Sequence, residues 1–336
     1  QKWIEVGTVG ALWIYPVKSC YRKEVSFFSS NHIVQLQDIQ VDWLKNQEGG
    51  PSQGELSDRQ FVIIDEDTHL MRTARQIPKL AVLKVEVCAR FLTVATPEGS
   101  MATVNLEEVE KDGEWSNAIL QKGESSMGLD CGEEIAELLN HYCQSIHGVR
   151  MLYYPPSKKT EMARLAWLWN LIGLHQKVMN LIIVHPQEIK CLNNEITVPF
   201  KVSFVEQSPF YVTTESSLGS LNERLDRPVT SANFRPNIVI EGSEAWDEDR
   251  WAEIKFGEET VINCDNLCTR RTVTTVDPES GVKDAAMEPV RTMREFRPIP
   301  EGRMMNGRTG PVFGVNSSLI AFGVIRKGQT VYVKYK

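Results

Sequence analysis

The stretch LCTRRTVTTVDPESG, residues 267–281, carries the most informative pattern in this sequence. It opens with a cysteine and two arginines, continues through a β-branched run and ends in an Asp-Pro-x-x-Gly turn. This order is typical of a strand that presents side chains at a turn. Guanidinium groups near a thiol favour its thiolate, a ligand for thiophilic metals, so Cys268, Arg270 and Arg271 are candidate site residues. The alternative is a small buried cysteine beside surface arginines.

The length and charge of the chain limit what it can do. A chain of 336 residues exceeds the usual size of a single core, which favours two subdomains. A net charge of -7 argues against general nucleic-acid binding, because affinity for phosphate backbones requires a basic surface. The seven cysteines include no Cys-x-x-Cys pair, which favours a reducing compartment over a disulfide framework and gives weak support for structural zinc. Because the chain is acidic overall, any bound anion must be held by locally placed arginines and lysines.

Short β-type runs dominate both ends of the chain and predict an α+β fold in which β-structure leads. They favour antiparallel sheets or barrels, because many lie within about a dozen residues of the next. The predicted strands are VGTVGALWIY, QFVIID, AVLKVEV, RFLTVAT, NLIIV, VSFV, FYVTT, NIVIEG, TVIN and TVYVKY. Two helices are predicted among them: DCGEEIAELLNHYC, with Asp130 as its cap and Glu133 three residues on, and TTESSLGSLNERLD, capped by Thr213 or Thr214.

Two changes in composition suggest where the chain divides. The stretch YPPSKKTE at residues 154–161 is the best candidate for a join, which predicts domains at residues 1–155 and 156–336. Residues 46–56 are predicted to form a flexible loop. The apolar tract at residues 162–184 is too short between its charges to span a bilayer. It is read as a buried or partner-facing helix followed by a strand, or as an interfacial membrane helix.

Basic residues recur at predicted turns. In IYPVKSC, a proline ends a strand and the following turn offers Lys18 and the Ser19 hydroxyl, a pair suited to a phosphate or carboxylate. Arg59 and Arg75 are predicted at the two ends of one hairpin, where they could bind the same anion or could instead pair with carboxylates such as Asp58.

A further basic turn lies in NFRPNIV. Arg235 precedes a proline there, so its backbone is held extended and its side chain projects from a fixed base. Pre-organised arginines suit bidentate contact with phosphate, although a solitary arginine in a turn is common.

Taken in order, these motifs resemble the MOSC-domain molybdoenzymes. Within that group the chain is most similar to the mitochondrial amidoxime reducing component and its bacterial relatives. The resemblance runs from about Val6 to the carboxyl terminus. It rests on IYPVKSC, DRQFVII with TARQ, DCGE, SPF, NFRPNIVI, TTVDPESG and GPVFG, which follow one another in the family's order.

The resemblance implies an amino-terminal β-rich MOSC domain and a carboxyl-terminal MOSC β-barrel, with molybdopterin in the cleft between them. Members reduce small N-hydroxylated compounds and take electrons from cytochrome b5 and its NADH-dependent reductase. They carry an amino-terminal anchor and sit on the outer mitochondrial membrane, facing the cytosol. The resemblance and the basic turns together predict cofactor contacts at Lys18, Ser19, Arg59, Arg75, Ser208, Arg235, Thr269 and Arg270.

One departure from the family pattern falls on the metal ligand. Relatives read Cys-x-Arg-Cys before Thr-Thr-Val-Asp-Pro, and their second cysteine binds molybdenum. That position is Arg271 here, and a guanidinium cannot replace a thiolate ligand. Three outcomes follow: Cys268 substitutes as the metal ligand, the cofactor binds with its metal altered or absent, or catalysis is lost and a binding or structural protein remains.

Overall fold

The computed structural model describes residues 2–25, 27–29, 52–53, 56–121, 123–145, 147–155, 204, 208–300, 310–321 and 323–336. The predicted strands NLIIV and VSFV, apart from Phe204, and the apolar tract at residues 162–184 lie outside these ranges. Three residues of the predicted loop at 46–56 are described, namely residues 52, 53 and 56. All three lie in strands. Among the described residues, no helix is both long and apolar enough to cross a membrane.

Strands make up most of the described elements, as predicted. They are β1 (Ile4–Ile14), β2 (Lys23–Glu24), β3 (Phe27–Ser29), β4 (Ser52–Gln53), β5 (Leu56–Ser57), β6 (Phe61–Asp65), β7 (Lys84–Cys88), β8 (Phe91–Ala95), β9 (Met101–Asn105), β10 (Trp115–Ile119), β11 (Ser125–Asp130), β12 (Val149–Tyr153), β13 (Phe210–Thr214), β14 (Ile238–Glu241), β15 (Trp251–Phe256), β16 (Thr260–Thr269), β17 (Val312–Ala321), β18 (Val324–Arg326) and β19 (Thr330–Tyr335). The α-helices are α1 (Leu106–Asp112), α2 (Glu133–Cys143), α3 (Glu215–Asn222), α4 (Ser231–Phe234) and α5 (Val290–Phe296). Short 3₁₀ helices cover Pro78–Val82, Asp247–Arg250 and Thr272–Thr275.

The largest sheet closes into a barrel. Its strand order is β14-β13-β17-β16-β15-β19-β1, and β1 also pairs with β14, which completes the ring. All of these pairings are antiparallel except that of β13 with β14. Gly7 lies where the pairing of β1 shifts in register, and a Cβ there would sit 1.8 Å from the Glu241 carbonyl oxygen. Only glycine therefore allows this close approach of β1 to its neighbour.

Strand β1 comes from the amino-terminal end of the chain but is part of a barrel built from carboxyl-terminal strands. The strand thus joins the two halves of the sequence within a single sheet. The division at residues 155 and 156 stays a prediction. The barrel and the predominance of strands confirm the predicted α+β, β-dominated fold.

Smaller sheets lie beside the barrel. One has the order β10-β11-β12-β6, a second is the meander β7-β8-β9, and a third is β18-β3-β4-β5. A continuous apolar core, which includes Trp251 of the barrel and Phe61 and Tyr153 of the β6 sheet, runs between the barrel and these sheets. Since β6 begins two residues after Arg59, this packing helps to determine where Arg59 lies.

Local structure departs from the predictions in three places. Asp130 does not cap α2: the N-cap is Gly132, and the Asp130 carboxylate accepts hydrogen bonds from the Gly132 amide and from Arg150. The predicted strand AVLKVEV starts as a 3₁₀ helix and becomes β7 only at Lys84. Arg75 lies in a turn and not on a return strand. The predicted cap of α3 is confirmed, because the Thr214 hydroxyl accepts from the Ser217 amide at 3.2 Å.

Candidate functional site

The turn after β1 and the start of β6 hold each other in place. The Lys18 amide donates to the Phe61 carbonyl at 3.0 Å, and the Arg59 amide donates to the Tyr15 carbonyl at 2.8 Å. Ser19 and Arg59 both have left-handed backbones, with φ of 70° and 52°. The two basic turns predicted from sequence at residues 14–20 and near Arg59 are therefore neighbours.

Arg235 reaches the same place from α4. It follows the last residue of the helix, again with a left-handed backbone (φ 58°), and its Nη1 donates to the Cys20 carbonyl at 2.7 Å. Its guanidinium carbon stacks 4.1 Å from the centre of the Tyr15 ring. Burial lowers the pKa of Arg235, and the positive charge of Arg59 acts in the same direction. Two arginines thus lie close enough to repel each other.

Arg270 comes to the cluster from the end of β16. Its Nη2 donates to the carbonyl of Phe234, the residue before Arg235, at 2.5 Å. Its Nη1 donates to Cys268 Sγ at 3.3 Å, and its guanidinium carbon stacks 4.6 Å from the Tyr211 ring centre. Arg59, Arg235 and Arg270 form what we call the arginine cluster.

Asp58 is the carboxylate inside this cluster. It is buried, and its Oδ1 accepts from the Tyr15 amide at 2.7 Å and from Asn237 Nδ2 at 3.1 Å. Its Oδ2 forms an ion pair with Arg59 Nη1 at 2.8 Å, although neither atom is aligned for a hydrogen bond. Burial raises the pKa of Asp58, while Arg59 opposes that change. The Asp58 carboxylate therefore pairs with Arg59 and lies near Arg235.

Several buried polar atoms of the cluster have no hydrogen-bond partner in the described part of the chain. They are Tyr15 Oη, Asp58 Oδ2, Arg59 Nη1 and Arg270 Nε. Buried polar atoms in native proteins are nearly always bonded, and those that are not call for a specific reason such as an absent ligand. Arg59 Nη1 and Asp58 Oδ2 lie 2.8 Å apart in their ion pair, so a ligand with oxygen acceptors would satisfy Arg270 Nε and the tyrosine hydroxyl.

The candidate metal ligand Cys268 and the residue at the family's usual ligand position, Arg271, lie in different surroundings. Cys268 is 3% exposed and packs in an apolar cluster with Tyr211, Phe234 and Phe313. Arg271 is exposed and precedes the 3₁₀ helix Thr272–Thr275. Across the described ranges, no group of three or more histidine, cysteine or acidic residues could hold a metal ion.

The remaining predicted contacts lie at varied distances from this centre. Lys18 Nζ donates to the Phe204 carbonyl at 3.1 Å, and the Ser208 hydroxyl donates to Asp265 Oδ2 at 3.3 Å. Ser19 is buried, and Thr269 and Arg75 are half-buried. Their roles as cofactor contacts stay predictions.

Sequence reasoning did not single out Tyr15 or Tyr211, although both support arginines of the cluster. Tyr15 stands in the quoted motif IYPVKSC and Tyr211 directly follows SPF. Their stacking with arginines depends on contacts between distant parts of the chain. The only signal available was that each tyrosine adjoins a recognised motif.

Comparison with known protein families assigns both halves of the chain. The MOSC N-terminal beta barrel domain matches residues 6–145, and the MOSC domain matches residues 199–332. This chain belongs to the MOSC-domain family. The arginine cluster of this MOSC protein draws on both matched regions, since Arg59 lies in the first and Arg235 and Arg270 lie in the second.

Relatives of this MOSC protein include the amidoxime-reducing components of vertebrate mitochondria. It is 29% identical to mitochondrial amidoxime-reducing component 1 of Mus musculus over 98% of this chain and 83% of the relative. It is 28% identical to mitochondrial amidoxime reducing component 2 of Homo sapiens, over 98% of this chain and 84% of that protein. Among solved structures, YiiM from Geobacillus stearothermophilus matches with a TM-score of 0.26 and 14% identity, covering 38% of this chain and 54% of that one.

Proposed function

We propose that this MOSC protein binds a molybdopterin-type cofactor by its anionic end, in the arginine cluster. The observation that carries the proposal is the convergence of Arg59, Arg235 and Arg270 on a buried region with unpartnered polar atoms. Asp58 pairs with Arg59, whereas Arg235 and Arg270 have no carboxylate partner among the described residues, which leaves an excess of positive charge although the whole chain is acidic. Charge of this kind, held in place by backbone contacts, suits a phosphate group.

Residues around the cluster would complete the binding site. Lys18 and Ser19 adjoin it on the turn that Arg59 contacts, and Thr269 directly precedes Arg270. Arg75 and Ser208 are proposed as outer contacts. Backbone amides and hydroxyls of such residues would bind the polar edge of a pterin, while the arginines neutralise its phosphate.

The residues present fit the metal of the cofactor less well than they fit its phosphate. Arg271, at the position of the family's ligand cysteine, is always protonated and cannot coordinate a metal. Cys268 keeps a thiol nearby, but it is buried among aromatic side chains and accepts a hydrogen bond from Arg270. We therefore derive no catalytic step through the metal.

With the metal present, the function that follows from the relatives is reduction of small N-hydroxylated compounds. The cofactor would supply two electrons, which with two protons convert the N-hydroxyl group into an N–H group and water. Cytochrome b5 and its NADH-dependent reductase would be the electron donors, and the outer mitochondrial membrane, on its cytosolic face, would be the location. Cys268 would then be the metal ligand in place of residue 271.

Arg271 favours a second candidate, a MOSC protein that binds the cofactor or another anion without catalysis. The substitution falls on the metal ligand, whereas the arginines that would hold the phosphate remain. Loss of chemistry with retention of the binding site is the pattern expected when an enzyme fold becomes a binding protein.

Metal and pterin analysis of the full chain separates these candidates. The protein would be purified from a host that makes the molybdenum cofactor, beside Arg271→Cys and a control, Arg250→Gln, whose exposed side chain lies outside the cluster. Near-stoichiometric molybdenum and pterin in the unmodified chain, with reduction of benzamidoxime by a chemically supplied electron donor, would support the reductase.

Other outcomes decide differently. Pterin without molybdenum or turnover would support the binding protein, and a rise in molybdenum in Arg271→Cys alone would identify residue 271 as the cause. If neither pterin nor molybdenum is found in any of the three proteins, cofactor binding by the arginine cluster is wrong.

A further inference from the structure

Two buried tyrosines support arginines of the cluster, but their hydroxyls differ. The Tyr211 ring stacks beneath Arg270, and its hydroxyl donates to the Phe313 carbonyl at 2.7 Å. The Tyr15 ring stacks beneath Arg235 at 4.1 Å, and its hydroxyl is buried without a hydrogen-bond partner in the described ranges. The Tyr211 hydroxyl thus has a hydrogen-bond partner within the protein, whereas the Tyr15 hydroxyl has none in the described ranges.

The missing partner of Tyr15 is informative because the residue is only 2% exposed. A buried hydroxyl that has lost water and gained no partner is unfavourable, so such a group in a native protein indicates a ligand or an ordered water. Burial raises the pKa of Tyr15, while Arg235 and Arg22 oppose that rise. The hydroxyl therefore stays protonated at neutral pH and can donate a hydrogen bond.

The surroundings of this hydroxyl determine which ligand it suits. The charges of Arg235, Arg59 and Asp58 act on Tyr15, and Asp58 Oδ1 is already engaged by the Tyr15 amide and Asn237. The protonated phenol can donate a hydrogen bond, and the guanidinium groups of Arg235 and Arg59 offer only donors, so donors and positive charge outweigh the Asp58 carboxylate at this place. This combination binds an oxyanion and disfavours a cation.

We propose that the Tyr15 hydroxyl donates a hydrogen bond to an oxyanion held by the arginine cluster, and so determines affinity for that anion. Tyr15 is then a ligand-contacting residue, and its ring also holds the Arg235 guanidinium in place. The inference rests on the proposed function and deepens it, because it names a neutral donor that completes the anion site.

Sulfate is the probe for the first test, because it is fully ionised at neutral pH and can only accept hydrogen bonds. The full chain would be purified from a host unable to make the molybdenum cofactor, and sulfate binding would be measured by titration calorimetry at constant ionic strength. Tyr15→Phe removes one oxygen and leaves the ring under Arg235. It should weaken sulfate binding about tenfold, the usual effect of losing a hydrogen bond to a charged group.

Tyr142→Phe is the matched control for binding. The Tyr142 hydroxyl donates to the Lys79 carbonyl at 3.2 Å, outside the arginine cluster. Its loss should leave the sulfate dissociation constant unchanged within about twofold, since no proposed ligand contact is removed.

Thermal unfolding without sulfate gives a second readout. Tyr15→Phe should leave the melting temperature unchanged or raise it, because it removes a hydroxyl that has no partner. Tyr211→Phe should lower it, because it removes a bond and leaves the Phe313 carbonyl buried and unpaired. A purely structural role for the Tyr15 hydroxyl would lower the melting temperature in both variants.

The inference is overturned if Tyr15→Phe binds sulfate as tightly as the unmodified chain, or if the unmodified chain binds no sulfate. Neither result decides the proposed function, which depends on the pterin and metal content of protein from a cofactor-producing host. Conversely, a chain that binds sulfate through Tyr15 but retains no pterin would keep this inference and reject the cofactor.

Discussion

Arg297 and Arg270 are both largely buried arginines stacked on aromatic rings, yet their polar contacts differ. Arg297 lies 4.3 Å from the Trp246 ring centre, and its Nη2 donates to both oxygens of Asp249, at 2.9 and 2.7 Å. Its Nε also donates to the Val312 carbonyl. Within the described ranges, Arg270 has a thiol and a carbonyl as acceptors, its Nε has no hydrogen-bond partner, and its contacts include no carboxylate.

The difference separates a structural arginine from a binding one. A guanidinium whose charge and donors are all matched within the protein has nothing to offer a ligand. A guanidinium group that keeps a donor without a partner and a charge without a counter-ion can bind an anion. The folded protein is less stable as a result until the anion binds. The same residue type thus serves two purposes, and substitution of each arginine should separate them.

Removing Arg297 should have the largest effect. Arg297→Met leaves the Asp249 carboxylate, whose side chain is 22% exposed, without its partner. Loss of one member of a mostly buried pair costs about 3 kcal/mol in free energy of unfolding. Urea unfolding followed by far-ultraviolet circular dichroism measures this. Arg250→Met, which removes an arginine whose side chain is 64% exposed, should cost less than about 1 kcal/mol. Equal losses in the two variants would contradict the structural role.

Glu248, beside this structural network, should make stability depend on pH. It is fully buried, accepts from the Ser217 hydroxyl at 2.9 Å, and burial raises its pKa to about 7, opposed by Ser217 and Arg297. Between its unfolded pKa near 4.5 and about 7, the folded state holds a proton that the unfolded state has lost. Stability from this group is therefore complete below about pH 4.5 and falls as pH rises through about 7, by roughly 3 kcal/mol in free energy of unfolding.

Glu248→Gln tests this dependence because the amide keeps an oxygen acceptor for Ser217 and cannot ionise. Its free energy of unfolding, measured from pH 4.5 to 8, should lack this fall and should exceed that of the unmodified chain at pH 8. Parallel pH profiles for the two proteins would show that Glu248 does not titrate in this range.

Local pattern was sufficient to predict several strands, such as β1, β6 and β13, but not how they assemble. Strand β1 follows from its β-branched and aromatic run, whereas its pairing with β14 and β19 depends on segments from the other end of the chain. The cap assigned to Asp130 failed for a similar reason. Arg150 of the neighbouring strand β12 binds that carboxylate, and a helix-capping pattern contains no information about it.

The candidate site was partly predictable for the same physical reason. Arg59, Arg235 and Arg270 stand in motifs with recognisable order, so they could be selected before their positions were known. The sequence alone offered Asp58 as a possible ion-pair partner of Arg59, and the structure contains that pair. The contact of Asp58 with Tyr15 arises only because the turn after β1 packs on the start of β6. Their unsatisfied atoms are a property of the folded molecule.

Removing Arg270 should affect stability less than removing Arg297. Arg270→Met loses two hydrogen bonds but also removes a buried charge without a counter-ion, so the free energy of unfolding should change by less than about 1 kcal/mol. In contrast, the rise in melting temperature that sulfate produces in the unmodified chain should be absent. A stability loss as large as that of Arg297→Met, with stabilisation by sulfate retained, would reverse the assignment.

The smallest expected effect is that of Asp58 on anion binding. Asp58 forms an ion pair with Arg59, as Asp249 does with Arg297. The negative charge of Asp58 partly neutralises Arg59 and repels an incoming anion. Asp58→Asn should therefore bind sulfate about threefold more tightly. The asparagine oxygen can still accept from the Tyr15 amide and Asn237, which keeps the turn in place. Calorimetry at low and moderate salt measures the gain, and Asp226→Asn, which removes the same charge from an exposed position, should show none. Unchanged or weaker sulfate binding in Asp58→Asn would mean that Asp58 orients Arg59 for the ligand, and that the cluster depends on its carboxylate as Arg297 depends on Asp249.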